Sequence, residues 1–330
     1  MFKLIKVDFY DDFACMMSEC PDNCCDEDWD IYIDDDTVKL YETIGVPDLY
    51  SKITTSKPHK LVKQNGKCPF ITPEGLCMFH RDYGEDYLSN TCRSYPRFVS
   101  SYGDVYLETL GMSCPATVRQ VLGLTAPVSF PDNIYYEEGD KIGTRPDMTE
   151  AESLAHSVIS HFMPGKSAIE SYKELCRGED VHLCSKTEMI RILMEGTKDT
   201  PSERYAAELF TDQYINALSA GEPADRDIKL AEIEKRLDAG SELFSCNVNR
   251  MLMFEHVMLD SKSDEPSEIR VVIRGLIAWI LLLMSFECRN APNEKYDDND
   301  VIDCTYKLMR IVDHGGSVLE KMLEKSEVSK

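Results

Sequence analysis

Thirteen cysteines punctuate this chain, and eight fall in its first 114 residues. Cys15, Cys20, Cys24 and Cys25 form C-x4-C-x3-C-C, and Cys68, Cys77, Cys92 and Cys114 follow. Thiolates are soft, strong ligands for zinc and for iron–sulfur centres. No sign of secretion accompanies them, so their density points to metal ligation rather than to a disulfide framework. Cys20 and Cys24 stand four apart, and one helical turn or a tight loop brings them together. Cys24 and Cys25 are adjacent, and neighbouring side chains are expected to diverge. Such a pair suits a multi-iron cluster, two separate metals, or one ligand beside a bystander. Zinc sites usually show two separated C-x2–4-C pairs, and their absence here favours iron–sulfur. The spacings match neither of the common ferredoxin runs.

These residues need elements to hold them. The text changes character near residue 125, from cysteines, tyrosines and short broken segments to long stretches of helical period. Residues 1–125 are expected to form an irregular, metal-stapled domain, 126–146 a Pro-, Gly- and Asp-rich linker, and 147–330 a helical domain; the fold class is mainly α. In the first part, WDIYID suggests a short strand, followed by a helix capped at Asp36 or Thr37 and running to about Ile44. RFVSSYGDVYLETL suggests a small hairpin turning at Tyr102-Gly103-Asp104, and SCPATVRQVL a helix opening at Ser113 with Pro115 in its first turn. In the second part, the period predicts helices over MTEAESLAHSVISHFM, 186–194, 202–218, 228–244, 248–258, 268–286 and 301–312. The helix around Trp279 is expected to be central. The later cysteines Cys176, Cys184, Cys246, Cys288 and Cys304 sit in this helical text and read as small apolar residues.

The formal charge is −23, which argues against nucleic-acid binding and against anionic membrane surfaces. Twelve carboxylates and no Lys or Arg lie between Asp8 and Asp36. This run reads either as a solvated face or as a surface that steers a lysine-bearing partner. The start, MFKLIKVDFYDDF, lacks an uninterrupted apolar core of the kind export signals carry. The longest apolar run, Gly275 to Phe286, is shorter than the roughly 20 residues a bilayer span needs. A cytoplasmic location is expected, with no membrane partner.

Four segments carry a resemblance: CMMSECPDNCCDEDWDIYID, CPFITPEGLCMFH, GEDYLSNTCRSYPR and SCPATVR. Together they resemble the flagellin lysine-N-methylase family, which carries a version of the zinc- or iron-chelating CxxCxxCC domain. The likeness is specific over roughly residues 10–120. The domain's cysteines fall on Cys15, Cys20, Cys24, Cys25, Cys68, Cys77 and Cys92, and Cys114 matches the later SCP element. The first spacing is longer than the domain's name implies, and the longer form is that of the methylase branch. The resemblance implies methyl transfer from S-adenosylmethionine to lysine ε-amines, with flagellin as protein partner. It also implies an iron–sulfur centre, a 4Fe-4S cluster first and zinc as the alternative, and a helical C-terminal region.

Methyl transfer needs a neutral amine, whereas free lysine titrates near 10.4. A site must therefore deprotonate the amine, align it and keep it dry. Eleven of the sixteen tyrosines lie before residue 137, which suits either an aromatic pocket or the packing of a poorly cored domain. The chain shows neither a Rossmann-type glycine-rich turn nor a radical-type C-x3-C-x2-C run. Tyr95 and Arg97, beside Cys92, are the candidates for cofactor contact. Arg97 is suited to a bidentate grip on a carboxylate, or else to pairing with the acidic N-terminal face. His80, three residues after Cys77, reads as a ligand or as a satisfied structural histidine. The other functional class open to the sequence is a non-enzymatic zinc- or iron-chelating module, or a redox-sensing adaptor.

Overall fold

The computed structural model describes residues 2–26, 29–64, 67–102, 105–135, 149–220, 226–238, 243–260, 267–289, 296–314 and 317–329. The expected turn at Gly103-Asp104, Glu27 and Asp28 of the acidic run, Tyr136, and 136–146 of the expected linker lie outside these residues. The described chain is mainly α.

Four strands make the principal sheet: β1 (Phe2–Lys6), β2 (Arg97–Tyr102), β3 (Val105–Leu110) and β4 (Asp132–Tyr135), in the order β2-β3-β1-β4. β2 and β3 are the hairpin read from the sequence, with Arg97 opposite Leu110 and Tyr102 opposite Val105. β1 joins β3 in parallel, Lys3 facing Val105, and joins β4 antiparallel, Ile5 facing Asp132. Local pattern announces neither β1 nor β4, because their partners are distant in the chain and no turn links them. β4 occupies part of the stretch expected to be a linker.

A second, smaller core lies within residues 29–92. Ile31, Ile33, Val38, Tyr41, Leu49, Ile53, Cys68, Phe70 and Phe79 form it. Tyr41 stacks on Phe79 at 3.9 Å between ring centroids, and Phe70 meets both rings at a steep angle. Regular structure here is sparse. The strand Tyr32–Ile33 pairs with His59–Lys60. Helix α1 (Asp35–Thr43) starts at an Asp34 cap, two residues earlier than the first expected position. Asp34 wins because its backbone is extended and one carboxylate oxygen accepts from Thr37 N at 3.0 Å. Its other oxygen accepts from Asn90 N at 3.0 Å, at the start of α2 (Asn90–Ser94), the short helix that carries Cys92.

Asp34 thus joins α1 to a cysteine-bearing helix. Burial works to raise its pKa, but the bonds from Asn90 and Thr37 outweigh that and hold it below the usual carboxylate value. The stability it contributes is present above the unfolded pKa and is lost as pH falls through the lower folded one. Asp34→Ala is expected to cost about 1–2 kcal/mol at neutral pH, and less as the pH approaches the folded value. Urea titration at two pH values checks it; an equal cost at both would rule out the charge-linked role.

The helical body follows. Helix α3 (Pro115–Leu122) begins at a Cys114 cap, one residue past the expected Ser113, with Pro115 at its first position. The single helix expected over 202–218 is two, α4 (Ser202–Leu209) and Asp212–Ala220, because Phe210 between them is extended (φ −131°, ψ 97°). Helices α5 (Phe244–Asp260), α6 (Glu268–Arg289) and α7 (Asp298–His314) complete the centre. α6 packs against α5 and α7 and buries Trp279 completely. Gly275 permits the approach of α5, since a Cβ there would sit 1.8 Å from Met253 Cε. By length and composition α6 is apolar enough to cross a bilayer, but 78% of its most apolar window is buried inside the protein. The main core includes Ile5, Val7, Leu107, Leu110 and Val118 together with these helices, so it draws on both halves of the chain.

Candidate metal centre

Four cysteines from separate segments meet at the small core. Cys68 belongs to it, and Cys25, Cys77 and Cys92 pack against it as partly buried neighbours. Cys24 is within electrostatic reach of Cys77 and Cys92. Local bonds set these positions. Asn23 accepts from Cys25 N at 2.9 Å and donates to Gly75 O at 3.2 Å, tying the Cys24-Cys25 turn to the loop before Cys77. The Ser89 hydroxyl caps α2 by accepting from Cys92 N at 3.2 Å. Cys77 in turn caps the helix Met78–Tyr83. One expectation is corrected. The Cys24 and Cys25 thiols do not diverge; the Cys24–Asp26 3-10 turn brings them into hydrogen-bond contact.

The thiols are costly to ionise where they stand. The bond from Cys24, and then burial, holds Cys25 protonated well above its usual range. Burial pushes Cys68 up to about 12 and Cys92 to about 11, and the neighbouring cysteines add to both. Burial also raises Cys77, against the pull of the His80 and Phe79 backbone N–H groups. A bound cation reverses such penalties by supplying the missing positive charge.

Cys15, Cys20 and Cys114 form an outer set. Cys114 is buried, Cys20 half-buried and Cys15 exposed. Burial pushes Cys114 to about 11, against the backbone N–H groups of Thr117 and Ala116, with Cys24 and Cys20 nearby. All eight candidate cysteines are free thiols. Among the described residues, no three Cys, His, Asp or Glu side chains stand close enough to hold a single ion as they are placed. Around one zinc, thiolates at about 2.3 Å put the sulfurs roughly 3.8 Å apart. A four-iron cluster takes each thiolate on a different iron, so its ligands are spread wider. The four sulfur donors come from separate segments; Cys68 is buried and Cys25, Cys77 and Cys92 are half-buried.

The cysteine loop is anchored to the helical body by a cation the sequence reading missed. Arg310 on α7 is 1% exposed. It donates to Asp22 Oδ2 at 2.7 Å, to Asp22 O at 3.3 Å and to Ser113 O at 3.0 Å. Tyr205 on α4 donates to the same Asp22 oxygen at 2.6 Å. Asp22 lies between Cys20 and Cys24, and its carbonyl also accepts from the Cys20 thiol at 3.2 Å. The Arg310 guanidinium sits 5.0–5.9 Å from the Trp29, Tyr205 and Tyr306 rings. Only the apolar spacing around it marked α7, and nothing in that pattern singles out one arginine.

Tyr95 and Arg97 part company. Tyr95 turns inward, 5.3 Å from the Trp29 ring, and donates to Ser113 Oγ at 3.4 Å. Arg97 lies over the Tyr10 and Phe13 rings and lines an open groove of about 520 Å³ with Glu85, Asn90, Thr91, Arg93 and Ser94. Asn90 and Thr91 also line a second cavity of about 380 Å³ on the Asp34–Asp35 side. Five of the twelve carboxylates of the acidic run, all five among the described residues, form ion pairs within the protein. Asp11 pairs with Lys6, Asp22 with Arg310, Asp30 with Lys60, Asp35 with Lys57 and Asp36 with Lys39.

No protein-family model matches the chain, and no solved structure matches it. Curated relatives do. A flagellar biosynthetic protein FliU from Salmonella muenchen is 29% identical over 127 residues, 34% of this chain and 73% of its own length. A lysine-N-methylase from Salmonella typhimurium is 32% identical over 128 residues, 33% of this chain and 30% of its own. A lysine-N-methylase from Salmonella choleraesuis is 29% identical over 127 residues and is matched over 31% of its length. The chain thus spans less than a third of the methylases it matches. Over that stretch it is related to proteins named lysine-N-methylase and to a flagellar biosynthetic protein.

Proposed function

We propose that this protein transfers methyl groups from S-adenosylmethionine to lysine ε-amines of flagellin in the cytoplasm. Cys25, Cys68, Cys77 and Cys92, with Cys24 beside them, hold an iron–sulfur cluster in this reading. The observation that carries the reaction is the similarity to proteins named for it. The gathering of thiols at the small core supports the cluster. When bound, the cluster supplies the charge compensation that buried thiolates need and closes a lobe short of regular structure.

The groove beside α2 is assigned to the methyl donor. Arg97 and Arg93 present guanidinium groups there, suited to the donor's carboxylate, while Asn90 and Thr91 offer polar edges. Arg97→Ala is expected to raise the KM for S-adenosylmethionine at least tenfold, since a charge-assisted bond is worth about 1.5–3 kcal/mol. Iron content should stay unchanged. Isothermal titration of the donor checks this; unchanged affinity would remove Arg97 from the site.

Mass spectrometry of flagellin after incubation with the protein and S-adenosylmethionine tests the activity. Successive gains of one methyl mass on lysines are expected. The second reading, a metal-binding module without activity, is favoured by the partial match to the methylases. It gives metal-loaded protein and unmodified flagellin.

A further inference from the structure

We propose that the cavity on the Asp34–Asp35 side seats the ammonium of the substrate's lysine between Asp35 and His59, and that His59 Nε2 takes its proton before methyl transfer. The inference rests on the methylase reading and adds to it the substrate subsite and the proton acceptor.

The cavity, about 380 Å³, falls in the range of small-ligand sites and has room for a lysyl side chain. Two residues of its wall, Asn90 and Thr91, also line the groove assigned to the donor. The two spaces therefore share the start of α2 as a common wall. Both carboxylates of the Asp34–Asp35 pair line the cavity, against the single ammonium of Lys57. Asp34 is committed to Thr37 and Asn90, so Asp35 is left for a ligand.

His59 is held for proton acceptance. Pairing of His59–Lys60 with Tyr32–Ile33 fixes its backbone, and the residue is 9% exposed, within the cavity wall. Its Nδ1 stands 2.7 Å from Thr54 O. A carbonyl only accepts, so Nδ1 carries the hydrogen and the neutral ring keeps its lone pair on Nε2. That nitrogen stands 3.7 Å from Asp35 Oδ1. Two acceptors facing each other have no hydrogen to share, whereas an ammonium, with three N–H groups, donates to both. Asp35 already displays the preference, because its other oxygen accepts from the Lys57 ammonium. Those two side chains are 51% and 68% exposed, so their ion pair is weak and gives way to a competing lysine. The Lys57 bond, with the Lys57 charge and then His59 adding to it, holds Asp35 below the usual carboxylate value. Of the other charged or titratable groups around His59, Tyr32 faces the Lys60 ammonium at 5.1 Å, and Lys60 pairs with Asp30.

In the step itself, an ammonium N–H bond breaks and its proton passes to His59 Nε2, giving an imidazolium beside Asp35. The freed lone pair forms the N–C bond to the sulfonium methyl as the C–S bond breaks, its electron pair staying on sulfur. The imidazolium then returns its proton to water.

Single-turnover methylation of flagellin, followed by mass spectrometry across pH, tests the proposal with the metal-loaded full chain. His59→Ala should slow transfer roughly a hundredfold, the usual scale for losing a proton acceptor. Donor affinity and iron content should be retained, and added imidazole should restore part of the rate, which a merely structural role would not allow. His59→Gln should flatten the acid limb of the pH profile. Asp35→Asn should raise the KM for flagellin about tenfold, while Lys57→Gln, which removes the internal competitor, should lower it about twofold. In histidine-labelled protein without donor, a lysine-bearing flagellin peptide should move the His59 ring signals. If wild type transfers methyl groups and His59→Ala stays within about threefold, the acceptor role is overturned and the methylase reading survives. If wild type transfers none, both fall together. Should His59→Ala fail to fold, an unchanged KM in Asp35→Asn with unmoved His59 signals overturns the proposal.

Discussion

Cys68→Ser or Cys92→Ser is expected to strip the protein of its iron and to open the lobe spanning residues 29–92 while the helical body stays folded. The asymmetry follows from where each core gets its stability. The helical body buries long apolar faces, with Trp279, Leu281, Leu282 and Phe286 fully inaccessible. The small lobe has two-residue strands, a nine-residue helix and nine buried core residues, one of them Cys68 itself. A core that small needs a staple, and structural metal sites of comparable size contribute about 10–16 kcal/mol of apparent binding free energy. Serine is nearly isosteric with cysteine but a hard, weak ligand, so the loss tracks coordination more than packing. Iron and zinc per chain should fall, and amide exchange should accelerate across 29–92 but not across α5 to α7. Cys24→Ser and Cys25→Ser are expected to lower iron as well. Cys176→Ser, at a half-buried thiol of the helical body, serves as the control and should keep its metal. Full iron in the Cys68 and Cys92 variants would dismiss these thiols as ligands.

Legibility in the sequence follows the range of the interactions involved. α6 was visible because a twelve-residue apolar run dictates a buried helix wherever it lies. The β2–β3 hairpin was visible because its pairing is local. The parallel pairing of β1 with β3 was not, since only the folded chain brings Lys3 to Val105. The cysteine types and spacing marked the candidate centre, yet they could not tell which thiols join the small core. That division depends on Asn23 reaching Gly75 and on Asp34 reaching Asn90. Side-chain direction was the least legible. The adjacent Cys24 and Cys25 meet where divergence was expected, and the neighbours Tyr95 and Arg97 point to different places.

Asp22→Ala should destabilise the fold by about 3–5 kcal/mol, far more than a surface carboxylate would, because it abandons a cation with no exit to water. Arg310 is 1% exposed, and its charge is balanced by an Asp22 side chain that is 18% exposed. Two more acceptors, Asp22 O and Ser113 O, come from separate segments, so the guanidinium bridges the cysteine loop, the approach to α3, and α7. Arg310→Lys should rescue little, since an ammonium cannot reach all three positions in one plane. Arg310→Met paired with Asp22→Asn should be milder than Asp22→Ala alone, because neither charge is then left stranded. The double-mutant cycle in urea reads that coupling directly. The same variants bear on the metal: releasing Asp22 frees the turn between Cys20 and Cys24, so iron loading should fall alongside stability. Exchange at residues 20–25 should rise in Asp22→Ala before any global unfolding. If stability drops while that turn stays protected and iron stays bound, the Arg310 bridge supports the helical body alone and does not hold the thiols in place.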